Sequence, residues 1–326
     1  MDNLLAQREH RCVFSGLGWA LLIYSLILNI CVLMATFWDM MLITANGMNG
    51  IQYSKEEVDA ILMSNGWGYL IAIAIGLIIL RLWQGKQFMR QTLWIKGKPM
   101  GVGDFFCLLA LLFSVQLAFS LIAGLMESIV NLFGLSLLES VESATMSADS
   151  FSMFVYMGIA GPIAEELLFR GLVLRKLEPY GKGFAIVMSA LAFGVFHCNL
   201  VQIPYAFLVG LVLGYTALEH NILWAMLLHM FNNLVLADML TRLTSFLPEI
   251  WGNLVFSGVI LISAVAALVI LIVRWKEVSA YRKANRINGA YTGMFFTSPG
   301  IIGLLIFVLL SVVAPLVGQA MDHLTK

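Results

Sequence analysis

Charge is what this sequence has least of. Asp, Glu, Lys and Arg make up 12% of its 326 residues against 60% hydrophobic, and the mean hydropathy is +0.90. That balance excludes a soluble globular domain. Cysteine is equally sparse: Cys12, Cys31, Cys107 and Cys198 form no CxxC pair, which excludes a disulfide framework and a thiolate metal site. Cys198 adjoins His197, but neighbours on a helix point about 100° apart. A small buried filler is the better reading than a nucleophile. There is no HExxH, no low-complexity linker and no convincing internal repeat. No small-residue cleavage site follows the first apolar segment, so it is expected to remain as a span. The net charge of +0 carries no information about partners, and no nucleic-acid partner is expected.

What the chain does have is long apolar stretches, at about 13–37, 66–83, 103–125, 151–174, 183–203, 204–218, 222–240, 253–273 and 298–318. Most reach the roughly 17–25 residues that a helix needs to cross about 30 Å of hydrocarbon. The stretch at 204–218 is short, and Pro204 is either a break or a boundary. The expectation is an all-α, polytopic transmembrane bundle of eight or nine spans, since irregular backbone cannot face lipid. Residues 1–326 read as one integral membrane domain with a core at 150–240. Part of 126–150 reads as a possible interfacial amphipathic piece.

Basic residues collect in alternate loops: Arg8 and Arg11; Arg81, Lys86, Arg90, Lys96 and Lys98; Arg175, Lys176 and Lys182; Arg274, Lys276, Arg282, Lys283 and Arg286. The intervening loops are mainly acidic. The positive-inside rule then makes the N-terminus and the basic loops cytoplasmic, in a protein of the plasma membrane.

Against this background, polar residues inside the spans stand out. Glu165 and Glu166 lie within an apolar stretch, with Arg170 one turn later. An ionisable side chain at bilayer depth costs roughly 2.5–3.5 kcal/mol on insertion scales, so it reads by default as functional. Pro162 frees the carbonyl of Gly158, and a kink is expected there. Glu166 and Arg170 share a face at i, i+4 and are expected to pair. Glu165 is rotated off that face and stays free to act as a general base or acid. Two further stretches carry histidines. Phe193 precedes His197 by one turn and is expected to shield one side of its ring, with Asn199 and Gln202 nearby to make a wet pocket. His229 and Asn233 share a face and can donate hydrogen bonds to a developing oxyanion. Asn232 and Asp238 are placed on other faces and given no chemistry. Gly210 and Gly214 form a GxxxG, a weak sign of close helix packing.

Taken together, Glu165-Glu166-x-x-x-Arg170, Phe193-x-x-x-His197 and His229-x-x-x-Asn233 resemble the Abi family, the CAAX proteases and bacteriocin-processing enzymes, and are similar to the type II CAAX prenyl endopeptidases. No position departs from the family's three motifs, and the resemblance covers about residues 150–240. It implies an intramembrane endopeptidase acting on a membrane-associated peptide or protein. By that resemblance Glu165 activates a water with help from His197, His229 and Asn233 stabilise the oxyanion, and Glu166, Arg170 and Phe193 support them. Metal-free catalysis is the favoured reading, with no cofactor. A zinc ion on Glu165, His197 and His229 stays as the alternative, because two His and one Glu are a legitimate zinc set. A proton- or ion-coupled transporter, or a non-catalytic membrane adaptor, would use the same residues differently.

Overall fold

In the computed structural model the described residues are 2–85, 95, 97–145 and 148–324. Lys86, Arg90 and Lys96 of the second basic loop fall outside them. Each of the nine apolar stretches is mainly helical, that at 183–203 being broken over 197–201, and no strand occurs among the described residues. Helix α1 is Asp2–Met48, α2 Lys55–Ser64, α3 Trp67–Gln84, α4 Val102–Asn131 and α5 Leu138–Thr145. A continuous helix, α6, covers 151–177 in alternating α- and π-helical turns. Helix α7 is Lys182–Phe196, α8 Gln202–Glu219, and α9 covers 222–244. Four helices complete the chain: α10 Glu249–Val273, α11 Trp275–Ala284, α12 Gly289–Phe296 and α13 Pro299–Leu324.

Six helical segments are long and apolar enough to cross a membrane: Gln7–Met48, Lys55–Gln84, Val102–Asn131, Gln202–Glu219, Glu249–Val273 and Pro299–Asp322. The protein is therefore an all-helical integral membrane protein. The three remaining expected stretches, now α6, α7 and α9, are the three that carry the polar motifs. Helix α7 is only 15 residues long, and α6 and α9 change to wider turns midway. Motif-bearing helices are thus the shorter or interrupted ones, and they are wrapped by the long ones. Leu33, Ile262 and Leu310 on the long helices are about two-thirds exposed to the surroundings, whereas every residue from 166 to 174 is buried.

Local chemistry explains the shape of α6. Pro162 has no N–H to give to Gly158, and the helix answers with π turns over Tyr156–Ala160, where Gly161 N–H donates to the Tyr156 carbonyl five residues back. The expected kink is therefore realised as a π-bulge, one of the few causes that bend helices. A second π stretch, Leu167–Leu174, follows the two glutamates.

Close packing in the centre rests on small residues. A Cβ on Gly210 would lie 2.9 Å from the backbone of Ala190 on α7, whereas one on Gly214 would make an ordinary 3.4 Å contact with Ile186. Only the first glycine of the GxxxG is sterically required. Buried Phe169, Phe184, Leu172, Leu174, Leu177 and Leu213 fill the space below it.

Loops on the two ends are tied separately. On the basic end, Glu219 takes hydrogen bonds from Lys182 at 2.8 Å and Tyr281 at 3.1 Å and pairs with Lys98 at 2.9 Å. The hydrogen bond to Glu219 pushes the Lys98 ammonium above the usual lysine range. His10 at the start of α1 packs edge-on against Tyr180, and Tyr180 against Tyr291. On the other end, Asn199 donates to the Ser140 carbonyl and Gly66 N–H to Ser152 Oγ.

Replacing Gly210 with Val should cost about 1–3 kcal/mol through overpacking, read as a drop in thermal stability in detergent. Gly214→Ala should leave stability nearly unchanged. Equal effects at the two positions would show that α7 and α8 do not meet at Gly210.

Candidate active site

Sequence alone allowed the three motifs to converge, and in the fold they do. Glu166 is the meeting point. Its Oε1 lies 3.0 Å from Arg170 Nη1 and accepts a hydrogen bond from His229 Nδ1, also at 3.0 Å. The guanidinium continues outward: Nη2 donates to the Gly210 carbonyl at 3.2 Å, and the group sits 4.5 Å over the ring centroid of Phe193. Phe193 in turn presents its edge or face to both imidazoles, with centroids 4.9 Å from His197 and 5.6 Å from His229. Its expected role of shielding one ring extends to both. One carboxylate and one phenyl ring thereby tie α6, α7, α8 and α9 together.

Both imidazoles are locked in orientation and in tautomer. A carbonyl oxygen can only accept, so His197 Nδ1, 2.8 Å from the Phe193 carbonyl, carries its proton there. Glu166, ionised against Arg170, likewise fixes the proton of His229 on Nδ1. In its neutral form each ring presents an Nε2 lone pair, and a doubly protonated ring presents an Nε2–H instead. His229 Nε2 faces Glu165 Oε2 at 3.7 Å. His197, inside the apolar stretch 183–203, is the first residue after α7, where the chain turns.

The two adjacent glutamates part company as expected. Glu166 and Arg170 are both fully buried, while Glu165 keeps 22% of its side chain exposed. That exposure opens into a cavity of about 350 Å³ shared by Glu165, His197, His229 and Asn233. Asn233 donates one amide hydrogen to the Met157 carbonyl at 3.0 Å and has a second in hand.

Several residues escaped the sequence reading. Asn232 was assigned to another face, yet it lines the cavity, donating to Tyr205 Oη at 3.1 Å and to Asn233 Oδ1 at 3.3 Å. The reason is elementary: i+3 lies as near to His229 on a helix as i+4 does. The side chain of Asp238 lies outside what is described. Cys198, read as a small buried filler, is partly buried and packs against the core, but it sits at the turn after α7 with a left-handed φ of +50°, at the cavity wall. Tyr24, Tyr69 and Tyr156 also line the cavity, with the rings of Tyr69 and Tyr156 stacked at 4.2 Å. The first two come from helices outside the motif block. Only the wet pocket read around Gln202 hinted at polar walls of this kind, and Gln202 does line the cavity.

A family model, Type II CAAX prenyl endopeptidase Rce1-like, matches residues 147–235. That segment contains all three motifs and the helices that carry them. Residues 147–235 are an Rce1-like domain. The matched family is one of prenyl endopeptidases, and the likeness to an enzyme of that class is carried by this segment. No curated protein and no solved structure matches the chain.

Among the described residues of the Rce1-like domain and its surroundings, no three His, Cys, Asp or Glu side chains stand close enough together to hold one metal ion. Removing one partner of a buried ion pair leaves an uncompensated charge and costs about 3–5 kcal/mol. Arg170→Met should therefore lose stability on that scale in a detergent melt, whereas Lys276→Met, at an exposed position, should shift the melt little. An Arg170→Met protein as stable as the parent would show that the pin at Glu166 does not hold the domain.

Proposed function

We propose that the chain is an intramembrane endopeptidase that hydrolyses a peptide bond of a membrane-associated peptide or protein with a water activated by Glu165. One observation carries this reading: the free Glu165 carboxylate and the tautomer-locked His229 ring face each other, 3.7 Å apart, on the wall of a cavity within an Rce1-like domain. A water about 2.8 Å from each group, an ordinary hydrogen-bond length, fits beside both. The His197 lone pair accepts a hydrogen bond that orients such a water.

Protons and charges balance through the cycle. Water oxygen attacks the scissile carbonyl carbon while Glu165 takes its proton. Charge develops on the carbonyl oxygen, where the second amide hydrogen of Asn233 is one donor. His229 Nε2 is the other, and it donates only when the ring carries a second proton, because Nδ1–H is engaged by Glu166. With His229 protonated, two carboxylates face a guanidinium and an imidazolium, and the buried cluster is neutral. Collapse of the tetrahedral intermediate breaks the C–N bond, and Glu165 returns the proton to the departing amine.

Zinc on Glu165, His197 and His229 remains the second reading, because both Nε2 lone pairs are suitable donors and both rings have the outer hydrogen bonds that zinc-bound histidines use. Spacing favours the metal-free reading, since no three such side chains cluster at ligand distance among the described residues. No step is therefore routed through a metal. Counting α6, α7 and α9 with the six long segments gives nine spans, and on this reading the protein lies in the plasma membrane with a cytoplasmic N-terminus.

Glu165→Gln should keep the fold and lower cleavage of membrane-anchored reporter peptides by at least about 10²-fold, the scale of a general base. Unchanged turnover would reject Glu165 as the base. Asn233→Leu should cost about 10²–10³-fold, the scale of one oxyanion donor. Exhaustive chelation should leave activity intact. Loss on chelation, restored by zinc, would overturn the metal-free reading.

A further inference from the structure

The fold shows which end of the bundle the cavity belongs to. Helices α3, α6, α7 and α8 line it from the half that lies away from the basic loops, while α1 and α9 line it near their middles, at Tyr24 to Asn29 and His229 to Asn233. Helix α6 contributes residues from its beginning at Met153 down to Glu165, and α3 contributes Tyr69 and Ile73 near its start. Helix α7 contributes only its far end, with His197 and Cys198 just beyond. Helix α8 contributes Gln202 to Val209 of its first half. Over these lies α5, whose Ser143 and Ala144 are part of the wall and which is held down by the hydrogen bond from Asn199 to the Ser140 carbonyl.

Toward the other end the interior between α6, α7 and α8 is packed, and an apolar groove of about 460 Å³ lined by Gly16, Trp19, Gly76, Leu168 and Leu172 runs beside it. Below the Glu166–Arg170 pair, Phe169, Leu174, Leu177, Phe184, Leu213 and Ala217 are at most 1% exposed. These six side chains form an apolar plug. Beyond this plug lie the loops bound together by Glu219, Lys98, Lys182 and Tyr281, by the Arg274–Asp104 pair at 3.0 Å, and by the aromatic contacts of His10, Tyr180 and Tyr291. These contacts place the N-terminus and the basic loops on one face. Apart from the intramembrane Arg170, only Lys55 and Arg242 among the described lysines and arginines lie on the opposite face.

A charge asymmetry of that size sets orientation in the membrane. We infer that the cavity opens to the extracytoplasmic face, so that the substrate is a peptide segment presented at the outer side of the bilayer: an exported membrane-bound peptide, or the outward-facing end of a membrane protein. This rests on the proposed hydrolysis for its substrate but not for its geometry.

Thiol labelling tests the sidedness without requiring turnover. In a background with all four native cysteines replaced, Ser143→Cys reports the cavity mouth, and a variant retaining only Cys12 reports the basic end. Ser143 and Cys12 are both exposed. A charged, membrane-impermeant methanethiosulfonate should label the Ser143→Cys variant in intact cells and Cys12 only after permeabilisation. The reverse pattern overturns the inference. So does a Ser143→Cys variant that stays unlabelled under both conditions while Cys12 reacts, since the mouth would then be closed. Adding Glu165→Gln should leave the labelling pattern unchanged. Loss of cleavage without change in labelling, or the converse, therefore separates failure of the orientation from failure of the catalytic reading.

Discussion

A single carboxylate oxygen organises the interior. Glu166 Oε1 meets the Arg170 guanidinium on its own helix and His229 Nδ1 on another, and the same guanidinium reaches the Gly210 carbonyl and covers Phe193. In a medium without water, an unpaired charge at this depth would cost far more than the pair does. Its partners therefore have little freedom to leave. That constraint carries the orientation of the His229 ring, the position of Phe193 and, through the Phe193 carbonyl, the tautomer of His197. The residue available for chemistry, Glu165, is the neighbour that this arrangement leaves over.

The bundle divides into a packed half and a hollow half at the level of that pin. Apolar side chains fill one half almost without exposure, and tyrosines, asparagines and a turn line the other. Wider turns occur where the division falls: one π stretch just before Pro162, one just after Glu166, and one beginning at Asn233. Each releases backbone groups from the regular i→i−4 pattern, as π-bulges at functional sites commonly do. The Met157 carbonyl, inside the first of them, is the acceptor for Asn233. Irregular backbone is tolerated here because it faces protein and cavity instead of lipid.

Much of this was legible in the residue order. Apolar runs identified the helices, because bilayer thickness imposes a length and the absence of water imposes a helix. The Glu166–Arg170 pair followed from i, i+4 spacing alone. The isolation of Glu165 followed from its one-residue offset. Other features resisted. Asn232 was overlooked through too strict a rule for shared faces, although its spacing carried the signal. Tyr24 and Tyr69 come from distant helices whose sequences read as ordinary lipid-facing spans. Helix α7 stops short of its apolar run because the chain turns at His197 and Cys198, and composition does not register a turn made of such residues.

The order of residues, by itself, determined that this chain is a helical membrane protein with charge-bearing motifs at bilayer depth, since hydropathy and helical periodicity are local properties. Only the tertiary structure decided which side chains share a cavity, which imidazole nitrogens are free, and toward which end of the bundle the cavity lies. Those are consequences of how helices pack sideways against one another. Packing depends on contacts between residues tens to hundreds of positions apart, such as Gly210 with Ala190 or His10 with Tyr291, which no local pattern encodes.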